Sequence, residues 1–118
     1  MDYNLIVITG PTASGKTSLA VKLASVLDTD IISADSRQVY RGLDIGTGKD
    51  LAEYKIDGKT VPYHLIDIVE PYENFDLFSF YKSFFAIFKE CMKRGKIPIL
   101  AGGTPLYIHS VIANYKLL

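Results

Sequence analysis

The chain has 118 residues, 48% hydrophobic, 12% aromatic and 22% charged, which is enough apolar side chain for one core and too little for two, so one domain is expected. Thirteen Lys and Arg offset thirteen Asp and Glu, which excludes the strongly basic balance that alone marks a nucleic-acid or anionic-membrane binder and leaves such contacts to local patches. The lone Cys91 cannot close an internal disulfide, and no Cys and His cluster at ligand spacing; a reducing compartment without structural zinc is expected. Met1-Asp2-Tyr3-Asn4 offers neither a basic segment nor a small-residue cleavage site, and no stretch approaches the roughly 18 apolar residues of a membrane span. The pattern reads as soluble and cytoplasmic.

Leu5 to Thr9 (LIVIT) is a continuous β-branched run ended by Gly10-Pro11, the pattern of a strand buried on both faces of a parallel sheet. From Gly15 the period changes: Leu19, Ala20, Leu23, Ala24 and Leu27 recur at helical spacing up to Asp28. Asp30 to Ala34 (DIISA) repeats the strand signature, completing a βαβ unit of right-handed sense. Asp35 to Asp50 mixes charges, hydroxyls and three glycines without a period and reads as a loop with a turn of helix, of a length that is usually functional or disordered. Asp57-Gly58 between short alternating segments signals a two-residue hairpin. Tyr63 to Val69 (YHLIDIV) reads as another strand, closed by Glu70-Pro71. Asp76 to Arg94 is helical, with Phe78, Tyr81, Phe85, Phe88 and Met92 on one stripe and Leu77, Phe80, Phe84, Ile87 and Cys91 beside it. So wide an apolar face implies burial against a sheet and a second element. Gly95 ends that helix, Ile97 to Ala101 (IPILA) is a further strand, and Gly102-Gly103 leads into a last helix over Thr104 to Ala113.

Gly10, Pro11, Thr12, Ala13, Ser14, Gly15, Lys16 and Thr17 spell GPTASGKT, a complete phosphate-binding loop placed directly after a strand and opening a helix. Glycines let backbone N–H groups converge, the helix N-terminus adds its positive dipole end, Lys16 supplies a point charge, and the Thr17 hydroxyl can ligate Mg²⁺. The motif implies a bound di- or triphosphate without saying which.

Asp35 stands at the carboxyl end of the second strand, where ligands of open α/β sheets collect. It could act as a general base, hold Mg²⁺ through water or cap the next turn. Arg37, Arg41 and Lys49, interleaved with Asp44 and Asp50, could grip an anion or form a solvated face. Gly102-Gly103-Thr104 could present a hydroxyl and free N–H groups to the same crevice or simply join strand to helix. His64 and His109 read as structural, Cys91 as an inert core thiol, and the aromatics from Phe75 to Phe88 as core, since their spacing follows a helix.

GPTASGKT, IISADSRQVYRGLDIGTGK at 31–49, YHLIDI at 63–68 and IPILAGGTPLY at 97–107 occur together in an order and spacing that resembles the tRNA dimethylallyltransferases, also called isopentenyl-pyrophosphate:tRNA transferases. The resemblance covers essentially the whole chain. It implies a three-layer, P-loop NTPase-like α/β domain with a mostly parallel sheet built on strands at 5–9, 31–34, 63–68 and 97–101. It also implies that dimethylallyl diphosphate, rather than ATP, occupies the loop, and that its prenyl group passes to the exocyclic amine of the adenosine 3′ to the anticodon. On that pattern Lys16 and the loop amides bind pyrophosphate and Thr17 holds Mg²⁺. Asp35 takes the amine proton, Ser36, Arg37 and Gln38 contact tRNA, and Thr104 holds the flipped-out adenosine, so Lys16, Asp35 and Thr104 form the implied catalytic set.

Family members are about twice this length or more, with a helical insertion that grips the anticodon arm. Residues 1–118 therefore look like the N-terminal catalytic-core portion, and an uncovered sheet edge is expected. The DG hairpin within Leu51 to Pro62 departs from the plain connection of many members. Other readings are a small-metabolite P-loop kinase, a prenyltransferase acting on free adenine nucleotides, and a folded but inactive diphosphate-binding module.

Overall fold

The computed structural model describes residues 4–10, 15–42 and 51–115. Ile6, Val7 and Ile8 favour extended backbone because two heavy atoms on Cβ restrict χ1, and they form β1 (Ile6–Thr9). Helix α1 (Lys16–Leu27) follows, opened by Gly15 at φ 80°, a left-handed conformation that only glycine adopts freely. Strand β2 (Ile31–Ser33) is buried at every position. A 3₁₀ turn (Leu51–Tyr54) leads into the hairpin β3 (Lys55–Ile56) and β4 (Lys59–Thr60), as the Asp57-Gly58 pair predicts. Then come β5 (Tyr63–His64), α2 (Leu77–Lys93), β6 (Ile99–Gly102) and α3 (Pro105–Tyr115).

The main sheet has the order β1-β6-β2-β5, with every pairing parallel. Side-chain alternation divides its two faces into two cores. Ile31, Ile99 and Ala101 pack with Ala20, Val21 and Ala24 of α1 and with Tyr54 and Val61. Ile32 and Leu100 point the other way, into Phe80, Phe84, Phe85 and Phe88 of α2 and Tyr107, Ile108 and Val111 of α3. The result is three layers: α1 with the hairpin, the sheet, and the α2–α3 pair. Asp76 caps α2 by accepting from the Ser79 N–H at 2.8 Å.

The tertiary structure corrects several expectations. β1 is not buried on both faces: Ile6 and Ile8 are half-buried while Val7 and Thr9 are exposed, because among the described strands β1 pairs only with β6 and lies at an edge. The strand expected over 63–69 stops after His64. Leu65 and Asp67 turn into the left-handed region at φ 66° and 56°, and the N–H groups of Asp67, Ile68 and Val69 donate to the carbonyls of Gln38 and Val39 instead of continuing the sheet. On α1 the buried stripe runs through Ala20, Val21 and Ala24, and Leu19 and Leu27 are exposed. On α2, Phe80, Phe84, Phe85, Phe88 and Cys91 are core, whereas Phe78 and Met92 face outward. The second covering element implied for α2 is α3.

Candidate active site

The sheet register brings three strand ends together. Thr9 is level with Gly102, and Ser33 with Ala101, so the carboxyl ends of β1, β6 and β2 open onto one crevice, where open α/β sheets bind ligands. The turn after β6 lies against the turn after β2: the Ala34 N–H donates to the Ala101 carbonyl at 2.8 Å, and the Thr104 N–H to the Ala34 carbonyl at 3.0 Å. At Gly102 the approach is so close that a Cβ would overlap the backbone of Ala34. At Gly103 a Cβ would stand 3.3 Å from the Gly10 carbonyl oxygen and 3.7 Å from Lys16 Nζ. The glycine pair thus serves close packing between three turns and brings the chain beside the lysine.

Lys16, Thr17, Ala20, Ser33, Asp35, Gln38, Tyr54, Ala101 and Gly102 line a single cleft. Lys16 and Asp35 are both buried, at 8% and 6% exposure, which places a cation and a carboxylate in a low-dielectric crevice where each acts strongly on a bound charge. Asp35 Oδ1 accepts from the Arg37 N–H at 3.0 Å, so this carboxylate both caps its turn and faces the cleft. Thr104 Oγ1 accepts from the Ser36 N–H at 2.9 Å and lies 3.4 Å from Ser36 Oγ. Thr104 therefore fixes the backbone that carries Asp35.

Other predicted residues lie elsewhere. Arg41 turns to Glu70 at 2.7 Å and to the Asp67 carbonyl at 3.0 Å, an exposed pair on a solvated face. Arg37 is exposed. Pro11, Thr12, Ala13 and Ser14 of the loop, with Asp44, Lys49 and Asp50, lie outside the described residues. His64 Nε2 donates to Asp30 Oδ2 at 2.8 Å, which also accepts from Arg94 at 2.8 Å, at the end of β2 away from the cleft, so this histidine is engaged in a structural contact. Cys91 is buried, and burial and the Asp30 charge push its thiol up. Sequence reasoning missed Tyr54 and Ser33 in the lining. Ser33 stands inside a strand pattern, and Tyr54 precedes the hairpin in a stretch without periodicity, so neither carries a signal of its own.

Two family models match: one described as IPP transferase over residues 38–118 and one as isopentenyl transferase over residues 3–64. The chain belongs to the IPP transferase family. This IPP transferase family member is 59% identical to tRNA dimethylallyltransferase 1 of Parabacteroides distasonis over 98% of its own length and 38% of the relative's. It is also 59% identical to tRNA dimethylallyltransferase 1 of Syntrophus aciditrophicus over 100% of the chain and 39% of that protein. The chain thus spans well under half the length of these relatives. Its fold superposes on the full-length tRNA isopentenylpyrophosphate transferase of Bacillus halodurans with a TM-score of 0.86 at 45% identity, covering 99% of the chain and 38% of that protein. A eukaryotic dimethylallyltransferase described as acting on tRNA matches with a TM-score of 0.83 at 32% identity, over 93% of this chain and 27% of that one. The P-loop NTPase-like, mostly parallel α/β fold expected from the motifs is therefore the fold of this family member.

Proposed function

We propose that the chain is the catalytic-core portion of a transferase that moves a dimethylallyl group from dimethylallyl diphosphate to the exocyclic amine of the adenosine 3′-adjacent to the anticodon in tRNA. The observation that carries this reading is the shared cleft of Lys16 and Asp35 in a chain of the IPP transferase family. Lys16, at the first position of α1, together with the helix N-terminus and the loop amides of Gly10 to Thr17, neutralises the diphosphate as its bond to the allylic carbon breaks. Asp35 accepts the amine proton as the new C–N bond forms. Ser36, Arg37, Gln38 and Thr104, on the two turns joined by the Ser36–Thr104 bond, contact the tRNA and hold the extruded base near Asp35.

Among the described residues no three His, Cys, Asp or Glu side chains cluster as a metal cage. A hydroxyl oxygen beside a phosphate site suits Mg²⁺, which keeps its waters and is held chiefly by substrate phosphates with one or two protein oxygens. Thr17, in the cleft lining, would supply such an oxygen, and the ion would neutralise charge on the departing diphosphate. No helix among the described residues is long and apolar enough to cross a membrane.

Asp35→Asn tests the reading. Transfer to tRNA is expected to fall at least about 100-fold, as for loss of a general base, while calorimetry with dimethylallyl diphosphate and Mg²⁺ shows unchanged affinity. Loss of diphosphate binding in this variant would assign Asp35 to the metal instead. Tighter binding of ATP than of dimethylallyl diphosphate by the wild type would point to a kinase.

A further inference from the structure

The 3₁₀ turn and hairpin at Leu51 to Thr60 deliver Tyr54 into the cleft. Its ring is 6% exposed, packed among Ala20, Val21, Ala24 and Ile31 and tilted against Tyr63 with centroids 4.8 Å apart. Val61 anchors the turn, its N–H donating to the Tyr54 carbonyl at 2.7 Å. With the ring so fixed, Tyr54 joins Lys16, Thr17 and Asp35 in lining the cleft.

The Tyr54 hydroxyl is the polar end of an otherwise buried side chain that lines this cleft, and a hydroxyl with so little access to water calls for a hydrogen-bond partner. Burial, with the charges of Glu53, Tyr63 and Asp35, pushes the phenol up to about 12, so it keeps its proton across the working range and can only offer a donor to an anion. Its position beside Lys16 and Thr17 indicates which anion: the one the loop motif is built to hold.

We propose that Tyr54 donates a hydrogen bond from its hydroxyl to an anionic oxygen of the bound diphosphate, making it a diphosphate-binding and specificity-determining residue brought by the 51–60 segment. The proposal rests on the diphosphate reading above. It gives the 51–60 segment a purpose in this chain, since that segment brings an aromatic donor into the cleft lining.

Titration of inorganic pyrophosphate into the wild type and into Tyr54→Phe, with Lys16→Ala as control, tests it. Tyr54→Phe keeps the ring and its packing, so the melting temperature without ligand is expected to stay within a degree or two while the pyrophosphate Kd rises about 10-fold, the scale of one hydrogen bond to a charged group. In the wild type, the Tyr54 ¹³Cζ resonance is expected to shift on adding pyrophosphate, a signature independent of whether the variant folds. Pyrophosphate binding that Lys16→Ala abolishes but Tyr54→Phe leaves unchanged, or an unmoved Tyr54 resonance in the saturated wild type, overturns the proposal while sparing the diphosphate reading. A Tyr54→Phe phenotype confined to kcat and its pH profile, at unchanged Kd, overturns it in favour of a bond to Asp35. Failure of the wild type to bind pyrophosphate overturns both.

Discussion

Asp30 and Asp35 lie five positions apart at opposite ends of β2 and meet different fates. Asp35 faces the cleft with Lys16, whereas Asp30, 3% exposed, is held by Arg94 and His64. Burial pushes the Asp30 carboxyl up, but the hydrogen bonds and charges of Arg94 and His64 outweigh it and hold the group below its ordinary value of 3.8. A carboxyl depressed in the folded state contributes stability that is fully present above its ordinary value and is lost as pH falls through the folded one. Acid titration of the wild type should therefore show a loss of stability below about pH 4 that Asp30→Asn lacks. At neutral pH the same substitution should cost on the order of 1–3 kcal/mol by urea unfolding, the worth of charge-assisted bonds to a buried acceptor. Neither role of these aspartates can be read from residue type alone. The strand end at which each stands separates them, and the strand pattern did predict that for Asp35.

Element α2 shows how far periodicity reaches. Its apolar residues cover so wide an arc that spacing cannot say which stripe faces the sheet, and the direction of α3 decides it: Tyr107 stacks on Phe80 at 4.0 Å and 13°. Phe84 is fully buried, whereas Phe78 is 65% exposed. Phe84→Ala should destabilise by about 3–5 kcal/mol through the cavity it leaves, and Phe78→Ala by no more than about 0.5 kcal/mol, a contrast that paired urea melts would expose. The β6–α3 turn is constrained differently. Any side chain at Gly102 overlaps Ala34 backbone, so Gly102→Ala should cost about 3 kcal/mol or more, with loss of cooperative thermal unfolding or of soluble yield as the readout. The glycine pair was visible in the sequence. That it marks contact between two turns far apart in the chain was not, because the partner is Ala34.

For the whole molecule, β1 is the consequential strand. Among the described residues its outer edge is unpaired, with Val7 36% exposed, and unpaired strand edges template association. Sedimentation of the 118-residue chain should show concentration-dependent self-association that Val7→Lys reduces, since an edge lysine opposes pairing; a strictly monomeric chain at all concentrations would refute this. By itself the sequence determined the βαβ opening, the hairpin at Asp57-Gly58, the helix over 76–94, the phosphate-loop motif and the position of Asp35. Each of these is written in local periodicity, turn chemistry or a contiguous motif, which short-range sterics and hydrogen bonding suffice to impose. Only the tertiary structure decided that β6 inserts between β1 and β2, that the chain leaves the sheet after His64 to bond Gln38 and Val39, that Thr104 supports the turn bearing Asp35, and that Tyr54 enters the cleft. Those outcomes depend on contacts between residues distant in sequence, which no local pattern encodes.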